Sequence, residues 1–365
     1  MNLLWLLAFT LVPLSGLAYA GWHIWVLLPW PAWAKTVTII AGVAAFLLLF
    51  AGILRAADSL PMPVARAVYN VGTSSIFVLL YIVMTFLVID LGRLLRLVPR
   101  HWVYNNGTTA VVLTAFFVGL FTYGYLHYQS KYRQELHLTT AKPLPRPLKL
   151  VLASDLHLGY HNPRTELSRW IDLINREQPD AVLIAGDIID SSIRPLIDER
   201  MAEEWHRIEA PVYACLGNHE YFSQLPAAQQ FYSDAGITLL RDTAVTDTTL
   251  ALTVIGRDDR TNMRRRRLAD IVSHTDLSHY TILLDHQPYH LEEAQKAGID
   301  FQFSGHTHRG QVWPLSWITD ALYECSFGPL RKGDTDYYVS SGLGIWGGRF
   351  RIGTRSEYVV LTISN

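Results

Sequence analysis

The sequence predicts an α-helical membrane region followed by an α/β domain. Three observations carry this. Of the 63 Lys, Arg, Asp and Glu residues, only eight fall in the first 130 positions: Lys35, Arg55, Asp58, Arg66, Asp90, Arg93, Arg96 and Arg100. Four apolar stretches in that region approach the ~20 residues a helix needs to cross a bilayer. Beyond a proline-rich segment, short apolar runs alternate with helical patterns, which is the α/β signature.

The first apolar stretch runs from Leu3 to Leu28 and is interrupted by Pro13. The second, Val37 to Leu54, is uncharged. The third, Val71 to Leu91, carries only Asp90 near its end, and the fourth is Thr108 to Tyr128. None has the polar face at helical spacing that a buried helix of a globular domain shows, so membrane spans are expected. Trp22, Trp25, Trp30, Trp33, Trp102 and Tyr104 flank them as an interfacial belt would. Ala18-Tyr19-Ala20 resembles a signal cleavage site. Met1-Asn2 supplies no basic side chain, however, and apolar sequence continues beyond the site, so an uncleaved span is expected. Four spans place the N-terminus and the C-terminal region on one side. Six basic residues on that side against four opposite favour a cytoplasmic location for the C-terminal region of an inner or plasma membrane protein.

Ala141 to Pro147 holds three prolines and should be extended and semi-rigid. The expected division is therefore a four-helix region over 1–130, a proline-rich linker over 131–147 and a second domain over 148–365. The net charge of −1 argues against a nucleic-acid binder built on bulk basicity, and the 50% hydrophobic content excludes a disordered chain. Cys215 and Cys325 cannot make a disulfide framework and read as buried thiols.

In the second domain Leu148–Ala153, Ala181–Ala185, Val212–Leu216, Thr281–Leu284 and Phe301–Phe303 read as strands. Tyr337–Ser341 and Tyr358–Ile363 read as two more. Leu167, Trp170, Ile171 and Ile174 form a helical stripe between the first two. Just past the five strand ends come Asp155-Leu156-His157, then Gly186-Asp187 with Asp190, then Gly217-Asn218-His219-Glu220. Asp285-His286 and Gly305-His306-Thr307-His308 complete the set. Ligand sites form at that edge of α/β sheets, and five such clusters in register point to one site.

The residue types suggest metal chemistry. D-x-H on an extended segment would point a carboxylate and an imidazole the same way. The two oxygens of Asp187 can bridge two cations, while His306 and His308 at i, i+2 can serve one each. Two ions about 3.5–4 Å apart clamp phosphoryl oxygens and acidify water. Mixed His and carboxylate ligands suit Mn, Fe or Zn better than Mg or Ca.

The ordered set D-x-H, G-D-x-x-D, G-N-H-[DE], H and G-H-x-H resembles the calcineurin-like metallophosphoesterase superfamily. The likeness covers about residues 148–365. It implies a four-layer α/β/β/α sandwich. It also implies a first metal on Asp155, His157, Asp187 and His308, and a second on Asp187, Asn218, His286 and His306. His219 would stand off the metals, contact the scissile phosphate and protonate the leaving group, with Glu220 or Asp190 orienting it. His286-Gln287-Pro288, Trp313-Pro314 after Gly305–Gln311, and Gly342-Leu343-Gly344 before Arg349-Phe350-Arg351 resemble the YkuE/YaeI/TMPPE-like membrane-anchored branch. Arg309 departs from that branch's usual glycine and would set a cation near the bound phosphate. Ser356-Glu357-Tyr358 departs from its usual Pro-Glu-Ile/Leu.

The remaining features have two readings each. Arg264 to Arg267 is a solvated helix face or a basic rim that grips anionic lipid head groups. Trp313, Trp317, Ile318, Leu322 and Tyr323 are core or a membrane-facing lip, and Asp90 reads as interfacial. Arg309, Arg257 and Arg264 are the expected substrate contacts. The expected function is a membrane-anchored, dinuclear-metal phosphoesterase acting on a phosphodiester or pyrophosphate, with a lipid-borne substrate. Soluble nucleotides or phosphoproteins are the rival substrates. A sensor or transport module with a regulated esterase output is the rival class.

Overall fold

Prolines mark where the N-terminal helices begin. The computed structural model describes residues 3–365, with side chains from residue 11 onward. Helix α1 covers Leu3–Leu27, α2 Ala32–Ile53, α3 Met62–Leu94, the short α4 Arg100–Val103 and α5 Gly107–Gln129. Pro31 and Pro61 cap α2 and α3, and Pro63 occupies the first turn of α3, where its missing N–H costs no hydrogen bond. Helix α3 starts well before the apolar run at Val71, because Arg66 and Asn70 mask its first turns in the sequence. Ala32–Ile53, Met62–Leu94 and Gly107–Gln129 are long and apolar enough to cross a membrane. The expected first span corresponds to α1, and the side chains of its residues 3–10 lie outside the described ones.

The chain forms two compact units, Met1–Tyr125 with Gly347–Arg349, and Leu126–Trp346 with Phe350–Asn365. In the first unit, a Cβ at Gly72 would come within 2.5 Å of the backbone of Leu48 and Leu49, so only glycine lets α2 and α3 approach so closely. Asp90 does not lie free in an interface. It accepts from Tyr19 Oη at 2.8 Å and Arg93 at 3.1 Å, with His23 Nε2 at 3.0 Å.

The second unit holds two six-stranded sheets. Their strands are β1 Lys131–Thr139, β2 Leu148–Ala153, β3 Ala181–Ala185, β4 Val212–Cys215, β5 Thr238–Leu239, β6 Thr243–Asp247 and β7 Leu252–Gly256. The rest are β8 Tyr280–Leu284, β9 Phe301–Ser304, β10 Gly328–Lys332, β11 Thr335–Val339 and β12 Ser356–Ser364. One sheet runs β1-β12-β2-β3-β4-β5 and the other β10-β11-β9-β8-β7-β6. Strands β2, β3 and β4 pair in parallel, as do β7, β8 and β9.

Alternation along buried strands sorts the layers. Leu148, Leu150 and Leu152 pack with Ile282, Leu284, Phe301 and Phe303 of the other sheet, which makes the central layer. Val151, Ala153, Val182 and Ile184 face the opposite way, against Trp170, Ile171 and Ile174 of α6 (Arg164–Arg176). Ile255, Leu283 and Val339 face Leu268, Ile271 and Ala294 on the outer side of the second sheet. Helices therefore cover both outer faces, giving the four layers expected. Cys215 and Cys325 are buried and free.

The segment expected as a linker is different. Lys131–Thr139 is a nine-residue strand, paired in parallel with β12 over its full length. Its burial alternates between partial and exposed, as an edge strand's does, so it lacks the apolar run that betrays a central strand. A single residue, Ser130, separates Gln129 at the end of α5 from Lys131 at the start of β1.

Candidate metal centre

Each site residue follows a strand end. Asp155 and His157 follow β2, Asp187 and Asp190 follow β3, and Asn218 to Glu220 follow β4. His286 follows β8, and His306 with His308 follows β9. Parallel pairing brings the ends of β2, β3 and β4 to one edge, and those of β8 and β9 likewise.

The D-x-H segment is not extended as the sequence suggested. Asp155, His157, Asp187, His306 and His308 all have φ between 46° and 70°, the left-handed region. Such backbone is strained for residues other than glycine and tends to occur at functional sites. Hydrogen bonds hold it there. His157 N donates to Asp187 O at 2.9 Å, and Asp155 N donates to Gly186 O at 3.1 Å. His306 N donates to the Asp155 carboxylate at 3.0 Å. Glycines permit the close approach: a Cβ at Gly217 would lie 2.1 Å from Asp187 Oδ1, and one at Gly305 would lie 2.3 Å from Asp155 Oδ2.

Two sets of donors converge. His157 Nε2 and His308 Nε2 are 3.1 Å apart, with Asp155 Oδ1 at 3.9 and 3.5 Å from them. Asp187 Oδ2 lies 3.6 Å from His157 Nε2 and 3.1 Å from His286 Nε2. Asn218 Oδ1 is 3.3 Å from His286 Nε2. The ligand atoms of Asp155, His157 and His308 lie within 4.8 Å of one another, as do those of Asp187, His286 and His306. His157, Asp187 and His219 form a third such group, which links the first two.

This donor chemistry fits a pair of divalent cations. Two ring nitrogens that face each other among buried carboxylates make a donor set suited to a divalent cation. His286 Nδ1 sits 2.7 Å from Ala185 O, which places its proton there and frees Nε2 for the cluster. Burial and the neighbouring His286 hold His306 down at about 4, and burial with His157 holds His308 well below its usual value. Both rings are thus neutral, as ligands must be. Burial would raise Asp187, but His286, His219 and His157 outweigh it and keep its carboxyl well below the usual range. His157 and His286 go the other way: burial lowers each, yet Asp190 and Asp187 respectively lead the groups that raise them.

The expected orienters divide their work. Asp190 meets three imidazoles. Its Oδ1 is 3.3 Å from His157 Nδ1 and 3.5 Å from His219 Nδ1, and its Oδ2 is 3.9 Å from His161 Nδ1. Glu220 holds backbone instead. It accepts from Gly217 N at 2.7 Å, Ile189 N at 3.0 Å and Asp187 N at 3.1 Å, and so fastens two site loops together. Burial, then the charge of Asp187, raises Glu220 to about 7.

The three expected substrate arginines separate. Arg257 is buried and paired with Asp285 at 3.0 Å and Glu293 at 2.8 Å, so its guanidinium braces the residue before His286. Arg264 is exposed at the end of a turn, and the run after it is irregular chain ahead of the helix at Leu268, not a helix face. Arg265 turns inward to Asp285 at 3.0 Å while Arg267 pairs with Asp270. Arg309 lies directly beside His308, with its guanidinium 4.5 Å from the Phe327 ring centre. Trp313, Trp317, Ile318 and Leu322 are exposed rather than core.

Sequence reasoning missed several supports. Asn162 donates to Leu156 O and His157 O at 3.1 Å and accepts from Tyr128 Oη. Arg351 is fully buried and donates to His308 O at 2.8 Å and Gly344 O at 3.1 Å, with burial bringing it down to about 10. His161, four residues after His157, had a legible signal in its spacing. Arg351 bonds carbonyls, which leave no pattern in a sequence.

The fold and its donor clusters are those the ordered motifs implied for a metallophosphoesterase domain. Residues 148–310 match the calcineurin-like phosphoesterase family. An uncharacterized metallophosphoesterase of Aquifex aeolicus is 30% identical over 261 residues, covering 68% of this chain and 98% of that protein. A transmembrane protein with metallophosphoesterase domain from Danio rerio is 31% identical over 229 residues, 58% of this chain and 52% of that protein. An uncharacterized metallophosphoesterase of Helicobacter pylori is 28% identical over 226 residues, 60% of each chain. The chain therefore spans about half of the zebrafish relative's length and about 60% of the Helicobacter one's. This chain belongs to the calcineurin-like metallophosphoesterase family.

Proposed function

We propose that the second unit hydrolyses a phosphodiester or pyrophosphate linkage of a lipid-borne substrate, using two divalent cations. The observation that carries the reading is the pair of donor clusters, Asp155 with His157 and His308 and Asp187 with His286 and His306, joined by the 3.6 Å approach of Asp187 Oδ2 to His157 Nε2. Asp155, His157, Asp187 and His308 would hold one ion, and Asp187, Asn218, His286 and His306 would hold the other. When bound, two such ions neutralise phosphoryl charge and acidify water.

The chain's own residues do the rest. Asp190 anchors His219 Nδ1 through its carbonyl at 3.2 Å and its carboxylate at 3.5 Å, which leaves Nε2 to give a proton to the departing oxygen. Burial lowers His219, with Asp187 and Asp190 opposing, and a lowered value makes its protonated form a stronger acid. Arg309 stands beside His308 to meet the substrate's remaining charge. The helices of the first unit motivate the lipid-borne substrate and the bilayer as partner. The catalytic face is cytoplasmic, on the excess of basic residues flanking that side, and protease accessibility on oriented vesicles tests this.

The experiment on function is turnover of chromogenic phosphodiester and phosphomonoester by the full chain with Mn. His219→Asn should lower kcat by about 10²–10⁴-fold with bound metal unchanged. Full activity of that variant would remove His219 from the chemistry.

A further inference from the structure

We propose that the rim of the catalytic site, centred on the helix Leu315–Leu322, seats in the headgroup layer of a lipid bilayer; the docking deepens the hydrolase reading above by fixing where its substrate lies. The helix is tied to the site. It begins seven residues after His308, and a Cβ at Gly310 would lie 2.3 Å from Leu315 C and 2.4 Å from Ser316 N, so the turn carrying His308 rests directly on it.

One face of this helix is unpaired with core. Ser316 is buried, while Trp317 is 65% exposed, Ile318 56% and Leu322 61%. Trp313 is also exposed, and its ring meets Trp317 edge-on at 5.3 Å. Phe222 and Met263 are further large apolar side chains left in the open. These six share an origin: Phe222 follows β4, Met263 follows β7, and the others follow β9. These six thus lie on segments leaving the C-terminal ends of parallel strands: β4 and β9 bear site residues, and β7 runs parallel to β8, which does too. The opposite end of β7 enters from a polar turn at Asp247 to Thr249.

The occupant follows from chemistry and tethering. Tryptophan favours the membrane–water boundary, where its ring is apolar and its N–H stays wet. Met263 is followed by Arg264 to Arg267, with Arg264, Arg266 and Arg267 exposed, a pairing of apolar tip and cations that suits anionic lipid. Helices able to cross a membrane belong to the same chain, and β1 begins two residues after the last of them ends. Such tethering keeps the effective concentration of bilayer high.

The test uses the full chain in nanodiscs of phosphatidylcholine and phosphatidylglycerol. A fluorophore is placed by Ile318→Cys or, as control, Thr248→Cys; both native thiols are buried. Doxyl-labelled lipid should quench the probe at 318 and aqueous iodide should not, with the reverse at 248. Quenching of 318 by iodide as at 248 would overturn docking. Protection from both quenchers would overturn it too, since a second copy would then cover the face. None of these readouts needs turnover. Separately, W317E/I318E should cut hydrolysis of a vesicle-embedded phosphodiester about tenfold while soluble diester turnover holds. Equal rates on both substrates would contradict the role of this face, and loss of soluble turnover in wild type would instead remove the hydrolase reading.

Discussion

The two units differ in what they leave open and in what they bury beside their apolar cores. In the first, the apolar stretches of α2 and α3 are only 17% buried and that of α5 only 6%, and Leu87, Val88, Val111 and Val118 lie open. In the second, β2 to β4 are almost wholly buried, and Asp155, His157, Asp187, Glu220 and His286 are buried beside them. An apolar surface left open needs an apolar surrounding. A cluster of buried carboxylates and imidazoles needs a cation, because burying charge without a partner is expensive. Each unit therefore points to a different surrounding: an apolar one for the open helix faces, cations for the buried donors.

That contrast can be broken most forcefully at Asp187, whose Oδ2 lies between His286 Nε2 of one donor cluster and His157 Nε2 of the other. Asp187→Asn should lower kcat by roughly 10³-fold or more, as removal of a key electrostatic group does, read with a chromogenic phosphodiester. Core packing comes next. Leu150→Ala, in the layer between the sheets, should cost about 2–5 kcal/mol in stability, measured by thermal or denaturant unfolding. Stripping metal with a chelator should lower the Tm, since ligands at 100 times their Kd add about 2.7 kcal/mol; re-addition of Mn should restore it. An unchanged Tm would mean that the buried donors stand without ions. Leu87→Ala, on an open helix face, should change stability by less than about 0.5 kcal/mol. A loss as large as that of Leu150→Ala would show that this face is packed against protein.

Legibility in the sequence followed burial. Strands β2 and β3 are continuous apolar runs, so their limits could be read directly. Strand β1 could not, because an edge strand with Lys131, Arg133, Gln134 and Glu135 looks like a linker. Strand β7 is fully buried but broken by Thr253, whose hydroxyl is satisfied by Thr246 and Asp276 O. The ligand-type residues were visible because their spacing after glycine is rare. Their left-handed backbone was not, since it arises from bonds between loops far apart in sequence. Arg257 reads as a substrate contact in the sequence because its partners Asp285 and Glu293 lie 28 and 36 residues away.

The central claim is a two-cation site that Asp187 bridges. Its most direct test is the metal content of the full chain after equilibration with Mn, measured by plasma mass spectrometry in wild type and Asp187→Asn. The account predicts two ions per chain in wild type and fewer in the variant. One ion or none in wild type, or an unchanged pair in the variant, would contradict it.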